Sequence, residues 1–173
     1  MAAHIWRMMI PRLRFALFLC ALFAVLALGI AMGSERYLEM IPCPLCLLER
    51  WPYRVVMVAA AIGLIAPRPF GWLALAVCIL AFTADAAIAF VHVGVEQRWW
   101  DSPLPQCNAP DFSHMTPAER FTAMPARPSK PCEDPTYLLS FLPVSIAMMN
   151  MIFAGALTIG FTVFAFRNAR SPV

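Results

Sequence analysis

The chain has 173 residues, of which 61% are hydrophobic and 13% charged, and its mean hydropathy is +0.71. These values exclude an ordinary soluble globule, in which about half the residues are apolar and about a quarter charged. The formal net charge of +3 sits at helix ends and in connections, so it bears on membrane topology and gives no indication of a nucleic-acid partner.

Four apolar stretches follow in chain order: 15–32, 47–66, 71–95 and 141–166. Each is close to the ~20 residues that a helix needs to cross a bilayer. Pro52 and Arg54 interrupt the second stretch early. The first is longer than the ~7–15-residue apolar core of a signal peptide, which makes cleavage near Ala31-Met32-Gly33 the lesser reading. The expected fold is all-α: a polytopic membrane four-helix bundle forming one integral domain over 1–173, with outer loops near 33–46 and 96–140.

Arginines set the orientation. Arg7, Arg12 and Arg14 come ahead of the first stretch, Arg68 is in the short second connection, and Arg167 and Arg170 follow the last stretch. No acid accompanies them. Basic residues also occur in the other connections, but the positive-inside rule weights short flanks and discounts acids. Both termini are therefore expected in the cytoplasm, and both outer loops face outward, into a compartment where disulfides persist.

The first outer loop ends in Pro42-Cys43-Pro44-Leu45-Cys46, followed by Glu49-Arg50. Two thiols spaced this way can close and open as a disulfide. At the first turn of a helix, the partial positive charge of the backbone favours the reactive thiolate. Arg50 adds a fixed charge about two turns on. The second pair, Cys107 and Cys132, lies in the long loop and would close a ring of some 25 residues. One reading of that pair is a structural staple worth ~3 kcal/mol. The neighbouring Cys-x-x-Cys favours the other, a relay between two redox pairs.

The long loop is rich in proline and opens on Trp99-Trp100, which suit a membrane–water interface. Thr116-Pro117-Ala118-Glu119 fits a capping box and predicts a short helix over Ala118 to Met124, which either rests Phe121 and Met124 on the bilayer or is a plain capped turn.

Asp85 is in the middle of the third stretch, where a carboxylate costs ~2.5–3.5 kcal/mol on insertion scales. It shares a helix face with Cys78 and His92. The favoured reading is a protonated acid bonded to a neighbouring helix through Asn150 or Thr158; the alternative is a polar track for protons. Cys20 and Cys78 read as packing thiols and Arg54 as an interface anchor. His92 is either a plain interfacial histidine or a proton-handling group. The chain has no Gly-x-Gly-x-x-Gly fingerprint for a nucleotide cofactor. The long spacing between the pairs argues against a zinc site built from the four outer cysteines, and no metal is expected.

Pro42 to Arg50, with its Pro-Cys-x-x-Cys followed by arginine, resembles the head of the second helix in the DsbB family of quinone-dependent membrane thiol oxidases. His92-Val93-Gly94-Val95-Glu96, Trp99-Trp100, Pro103 and Cys107 are similar to the entry of that family's second loop. Pro131-Cys132 is similar to its second loop cysteine, and Pro143 to Asn150 to the start of its fourth helix. The Cys-x-x-Cys precedes the loop pair, the reverse of the order in the four-helix vitamin K epoxide reductase fold.

The resemblance implies a catalytic role for all four outer cysteines. Cys107 would take the mixed disulfide with a periplasmic DsbA-like, thioredoxin-fold partner, and Cys132 would pass electrons to Cys43. Cys46 would be the thiolate beside quinone, stabilised by Arg50. Arg50, His92 and Glu35 would face the quinone, Glu35 standing where many members have glutamine. Ubiquinone is the favoured acceptor and menaquinone the alternative, and the chain would sit in the bacterial inner membrane. The DsbA reaction is demanding, because DsbA is poised near −120 mV while ordinary structural disulfides lie below about −300 mV. An apolar slot beside Cys46, open to lipid, is therefore expected for a quinone. The competing functions are an oxidase serving another thioredoxin-fold partner and a non-enzymatic membrane protein braced by its disulfides.

Overall fold

The computed structural model describes residues 2–107, 116–119, 129–138 and 143–169, without the side chains of 2–10 and Arg68. Five α-helices are named here: α1 (Ala2–Tyr37), α2 (Pro44–Leu48), α3 (Arg50–Ile65), α4 (Arg68–Glu96) and α5 (Ile146–Ala169). A single 3-10 turn covers Pro105–Cys107. There is no β-strand among the described residues, only one antiparallel bridge between Tyr137 and Ser145. Pro11–Tyr37, Pro69–Glu96 and Ile146–Asn168 are each long and apolar enough to cross a membrane.

The expected second span is divided. α3 has 16 residues, which at 1.5 Å per residue is ~24 Å, short of a ~30 Å hydrocarbon core. Proline chemistry accounts for the break. Pro52 has no N–H to give the Leu48 carbonyl four residues back, and its ring crowds that carbonyl. α2 ends at Leu48, Glu49 makes the junction, and α3 starts at Arg50.

The other helix ends also differ from expectation. α1 runs on through the arginines placed ahead of it and reaches Tyr37, which puts Glu35 on a helix instead of in a loop. α5 begins at Ile146, five residues late, where the Ser145 hydroxyl accepts from the Met148 N–H at 3.2 Å as an N-cap. α4 stops when Arg98 turns left-handed (φ 57°), with the Trp99 N–H reaching back to the Gly94 carbonyl at 2.8 Å. The capping box at Thr116 is present. Glu119 accepts from the Thr116 N–H at 2.8 Å, and the Thr116 hydroxyl accepts from the Glu119 N–H at 3.4 Å. The rest of that expected helix, with Phe121 and Met124, lies outside the described residues.

α4 is central and packs against α1, α3 and α5, while α1 also packs on α3. The core is built from Leu17, Val56, Leu75 and Phe82 with the small side chains of Cys20, Ala24, Ala60 and Cys78. Cys20 and Cys78 thus occupy the packing role expected of them. Phe82 stacks on Phe161 at 5.9 Å between ring centres. Gly63 brings helices together: a β-carbon there would come within 2.5 Å of Ala74 Cβ on α4 and 3.0 Å of Leu17 on α1. Large apolar side chains such as Phe15, Phe18, Val58, Leu73, Leu80, Ile152 and Ile159 point outward from all four long helices. An outward apolar surface over an inward core of small residues is what a lipid-facing bundle requires. At the α4 end, Phe90, Trp99 and Trp100 form an aromatic cluster, and the Trp100 indole N–H donates to the Val91 carbonyl at 3.2 Å.

Candidate active site

All four expected catalytic cysteines meet at one end of the bundle. Cys43, Cys107 and Cys132 are buried in a cluster with Leu45 and Val95, and Cys46 and Leu104 pack against it. Cys107 and Cys132 are joined as a disulfide, and the Cys132 N–H donates to the Cys107 carbonyl at 3.3 Å. Cys43 and Cys46 are free thiols with sulfurs 2.7 Å apart. The outer pair is bonded and the inner pair is not, one packed on the other.

The start of α2 explains the inner pair. Cys43 is extended (φ −85°, ψ 164°) and takes the N-cap position, with Pro44 opening the helix. Its sulfur accepts from the Cys46 backbone N–H at 3.2 Å, the place a serine or aspartate oxygen usually fills. The Cys46 thiol donates to the same sulfur. That bond, with the backbone N–H adding to it against the opposing effect of burial, holds the Cys43 thiol below its ordinary pKa. The same bond and then burial push Cys46 up. In the free dithiol, charge is therefore favoured on Cys43, whereas the family pattern gave the thiolate to Cys46.

His92 stands behind Cys43. Its Nε2 is 3.4 Å from the Cys43 sulfur, and its Nδ1 is 2.6 Å from Glu49 Oε1. With Nδ1 donating to Glu49, Nε2 is the nitrogen left to accept from the Cys43 thiol. The Glu49 Oε2 takes an N–H from Asn150 at 3.0 Å, and the second N–H of that amide goes to Asp85 Oδ2 at 3.1 Å. The Tyr53 hydroxyl donates to Asn150 Oδ1 at 2.6 Å, so every side of the amide facing these groups is used. Asp85 is thus bonded to Asn150, one of its two expected partners. The other, Thr158, has a buried hydroxyl with no partner among the described residues. The result is a continuous polar row, Cys43, His92, Glu49, Asn150, Asp85, drawn from α2, α4, the α2–α3 junction and α5. A third acid with a buried side chain, Glu96, accepts from the Ser145 hydroxyl and lies 3.9 Å from His92 Nε2.

Arg50 is ion-paired to Glu35 of α1. Among the described residues, no hydrogen bond or ion pair joins Arg50 to Cys46, so the expected direct contact is not made. The Arg50 Nε is buried and has no partner among the described residues. A groove of about 430 Å³ opens outward between α3 and α4, lined by Leu48, Trp51, Val55, Leu80 and Ile88 among others. Its walls are apolar, and Leu48 and Trp51 follow closely on Cys46 in the chain. A guanidinium N–H without a partner among the described residues and an outward-opening apolar groove are each features that suit a quinone, which has carbonyl acceptors and a hydrophobic tail. Sequence reasoning saw Glu49 only as part of a motif, and missed Tyr53, Glu96 and Ser145 as contributors. Glu49 was detectable in principle, since a carboxylate next to the Pro52 break has to be either exposed or partnered.

A family model described as "Disulfide bond formation protein DsbB" matches residues 13–164, from early α1 almost to the end of α5. Among curated proteins and among solved structures, none matches the chain.

Proposed function

Since the chain belongs to the DsbB family, and so is a membrane disulfide oxidoreductase, we propose that it passes electrons from a periplasmic DsbA-like dithiol through Cys107–Cys132 and Cys43–Cys46 to quinone. The observation that carries this reading is the stacking of a closed outer pair on an open inner pair in one buried cluster. A thiolate of the partner attacks Cys107, and Cys132 leaves as a thiolate. The second partner thiolate then attacks the partner sulfur joined to Cys107, which releases the oxidised partner. Cys132 attacks Cys43 of the closed inner disulfide and displaces Cys46. Cys107 closes again on Cys132 and frees Cys43. Two electrons have then moved inward, leaving the outer pair closed and the inner pair open.

While Cys43 is held in the mixed disulfide, it no longer takes the Cys46 thiol hydrogen, and Cys46 becomes the charged leaving group. This reconciles the charge on Cys43 in the free dithiol with the family role of Cys46. A bound quinone supplies a sink for two electrons and two protons. His92 Nε2 is positioned to take the Cys43 proton, with Glu49 fixing the ring. Arg50, held by Glu35, would have its Nε–H left to donate to a quinone carbonyl oxygen. Ubiquinone is the acceptor favoured in this reading. The bacterial inner membrane, with both termini cytoplasmic and the cysteines periplasmic, is the matching location.

The test is purified protein given excess reduced DsbA-like partner and a soluble quinone. Catalytic loss of quinone absorbance is the expected result. A response limited to one equivalent would make the disulfides a brace, and turnover only with a different thioredoxin-fold dithiol would reassign the partner.

A further inference from the structure

Three metal-ligating atoms converge at the inner pair. The sulfurs of Cys43 and Cys46 and Nε2 of His92 all lie within 4.8 Å of one another. We propose that the reduced Cys43–Cys46 pair and His92 form a binding site for a zinc-class cation. Two thiolates and one imidazole suit a borderline-soft d10 ion, and three protein ligands with one open position are a usual zinc arrangement.

Two features of the site favour this beyond the donor types. With Zn–S near ~2.3 Å and Zn–N near ~2.0 Å, a tetrahedral site needs a sulfur–nitrogen edge of roughly 3.5 Å. The Cys43 sulfur is 3.4 Å from His92 Nε2. The two sulfurs, at 2.7 Å, must part by roughly 1 Å to span the same tetrahedron. That movement falls on Cys46, the partly exposed member, which also supplies the way in. The second feature is the support behind the ring. Nδ1 is bonded to Glu49 at 2.6 Å, and Asn150 holds the other oxygen of Glu49 at 3.0 Å. A carboxylate on the far nitrogen is what orients a metal-ligating imidazole. This donor set differs from the four-cysteine site that the spacing argued against, because Cys107 and Cys132 are bonded to each other.

Binding displaces the two thiol protons to solvent and moves no electrons. The ion holds the inner pair as two thiolates, so the inner disulfide cannot close until the ion leaves. Taken with the oxidase reading, on which this consequence rests, the cation stalls the relay in the inner-reduced state. Binding itself requires only that the pair be reduced.

Full-length protein in detergent, reduced with a phosphine, is titrated with Cd2+ and followed by sulfur-to-metal charge-transfer absorbance, with Zn2+ then added as competitor. One equivalent is expected in reduced protein and none once the inner pair is oxidised. The signal should persist in a Cys107→Ser, Cys132→Ser double variant. His92→Ala should weaken binding at least tenfold, and Glu49→Gln roughly tenfold or more, the usual effect of losing a supporting carboxylate. Equal binding by reduced and oxidised wild-type protein overturns the site, and that comparison needs no substitution. Loss of the signal in the outer-pair double variant, or full affinity in both His92→Ala and Glu49→Gln, overturns it as well. Turnover measured separately in chelator-treated buffer tests the oxidase reading, so either idea can fail without the other.

Discussion

His92 meets Cys43 across the gap between α4 and the start of α2, with its Nε2 3.4 Å from the sulfur and its other nitrogen given to Glu49. This one contact joins the redox pair to a polar row that continues to Asp85 in the middle of the membrane-spanning α4. Asp85 is fully buried, and one of its carboxylate oxygens has no partner among the described residues.

Cys43→Ser and Cys46→Ser should each abolish turnover with quinone while leaving the Cys107–Cys132 disulfide and the helix content intact. In the proposed relay the inner pair is the one that reduces quinone. Steady-state quinone reduction and far-UV circular dichroism decide the matter; near-wild-type rates in either variant would remove the pair from the reaction.

Cys107→Ser or Cys132→Ser should block oxidation of the protein partner. Quinone reduction driven by a small dithiol should survive, because Cys46 is partly exposed and can be reached without the outer pair. Joint loss of both activities in folded protein would contradict the two-stage order.

The Cys43 thiol is held down chiefly by the hydrogen bond from Cys46. A lowered pKa means that Cys43 is charged at pH values where a free thiol, near pKa ~8.5, is still neutral. In the reduced protein, in chelator-treated buffer, alkylation of Cys43 should therefore accelerate through an inflection below that of an ordinary free thiol. Cys46→Ala removes the side-chain donor and should move that inflection upward. An inflection unchanged by Cys46→Ala would assign the effect to the helix end alone.

Glu35 pairs with Arg50 across α1 and α3. Glu35→Gln keeps an oxygen able to accept from the guanidinium, so the quinone Michaelis constant should change little. Glu35→Ala and Arg50→Met should each raise that constant several-fold, the first by freeing the arginine head and the second by removing it. Equal constants across all three variants would reduce the pair to a surface contact.

Gly63→Ala tests the helix packing that supports the site. The added methyl would come within 2.5 Å of Ala74 Cβ, an atom with no rotamer to escape through, so α3 and α4 must separate. A loss of roughly 1–3 kcal/mol is expected from such overpacking. It should appear as a lower melting temperature in detergent.

The fold class was legible because apolar runs of membrane-spanning length leave few alternatives. Pro52 marks an early interruption of the second run in the sequence, but hydropathy alone does not show that the missing donor to Leu48 divides it into two helices. Helix ends were misplaced where polar residues continue a helix beyond the apolar core, as in α1 up to Tyr37. The four cysteines and His92 could be named from spacing and family pattern. Their partners could not, because Glu49, Asn150 and Tyr53 meet through three-dimensional packing between positions 97 and 101 residues apart. The pairing of Arg50 with Glu35 belongs to the same class of contact.

The Cys107–Cys132 bond closes a covalent ring whose two ends are fixed at one point, directly on the inner pair. Those two ends, with Lys130 close enough to favour charge on Cys43, tie the ring to the inner centre. Doubling the length of such a segment costs only about 0.6 kcal/mol in closure entropy. Selection can thus lengthen, shorten or rewrite the ring to suit a different thiol donor, while the electron-accepting centre beneath it keeps its geometry. Donor choice and acceptor chemistry are separable parts of this one small chain.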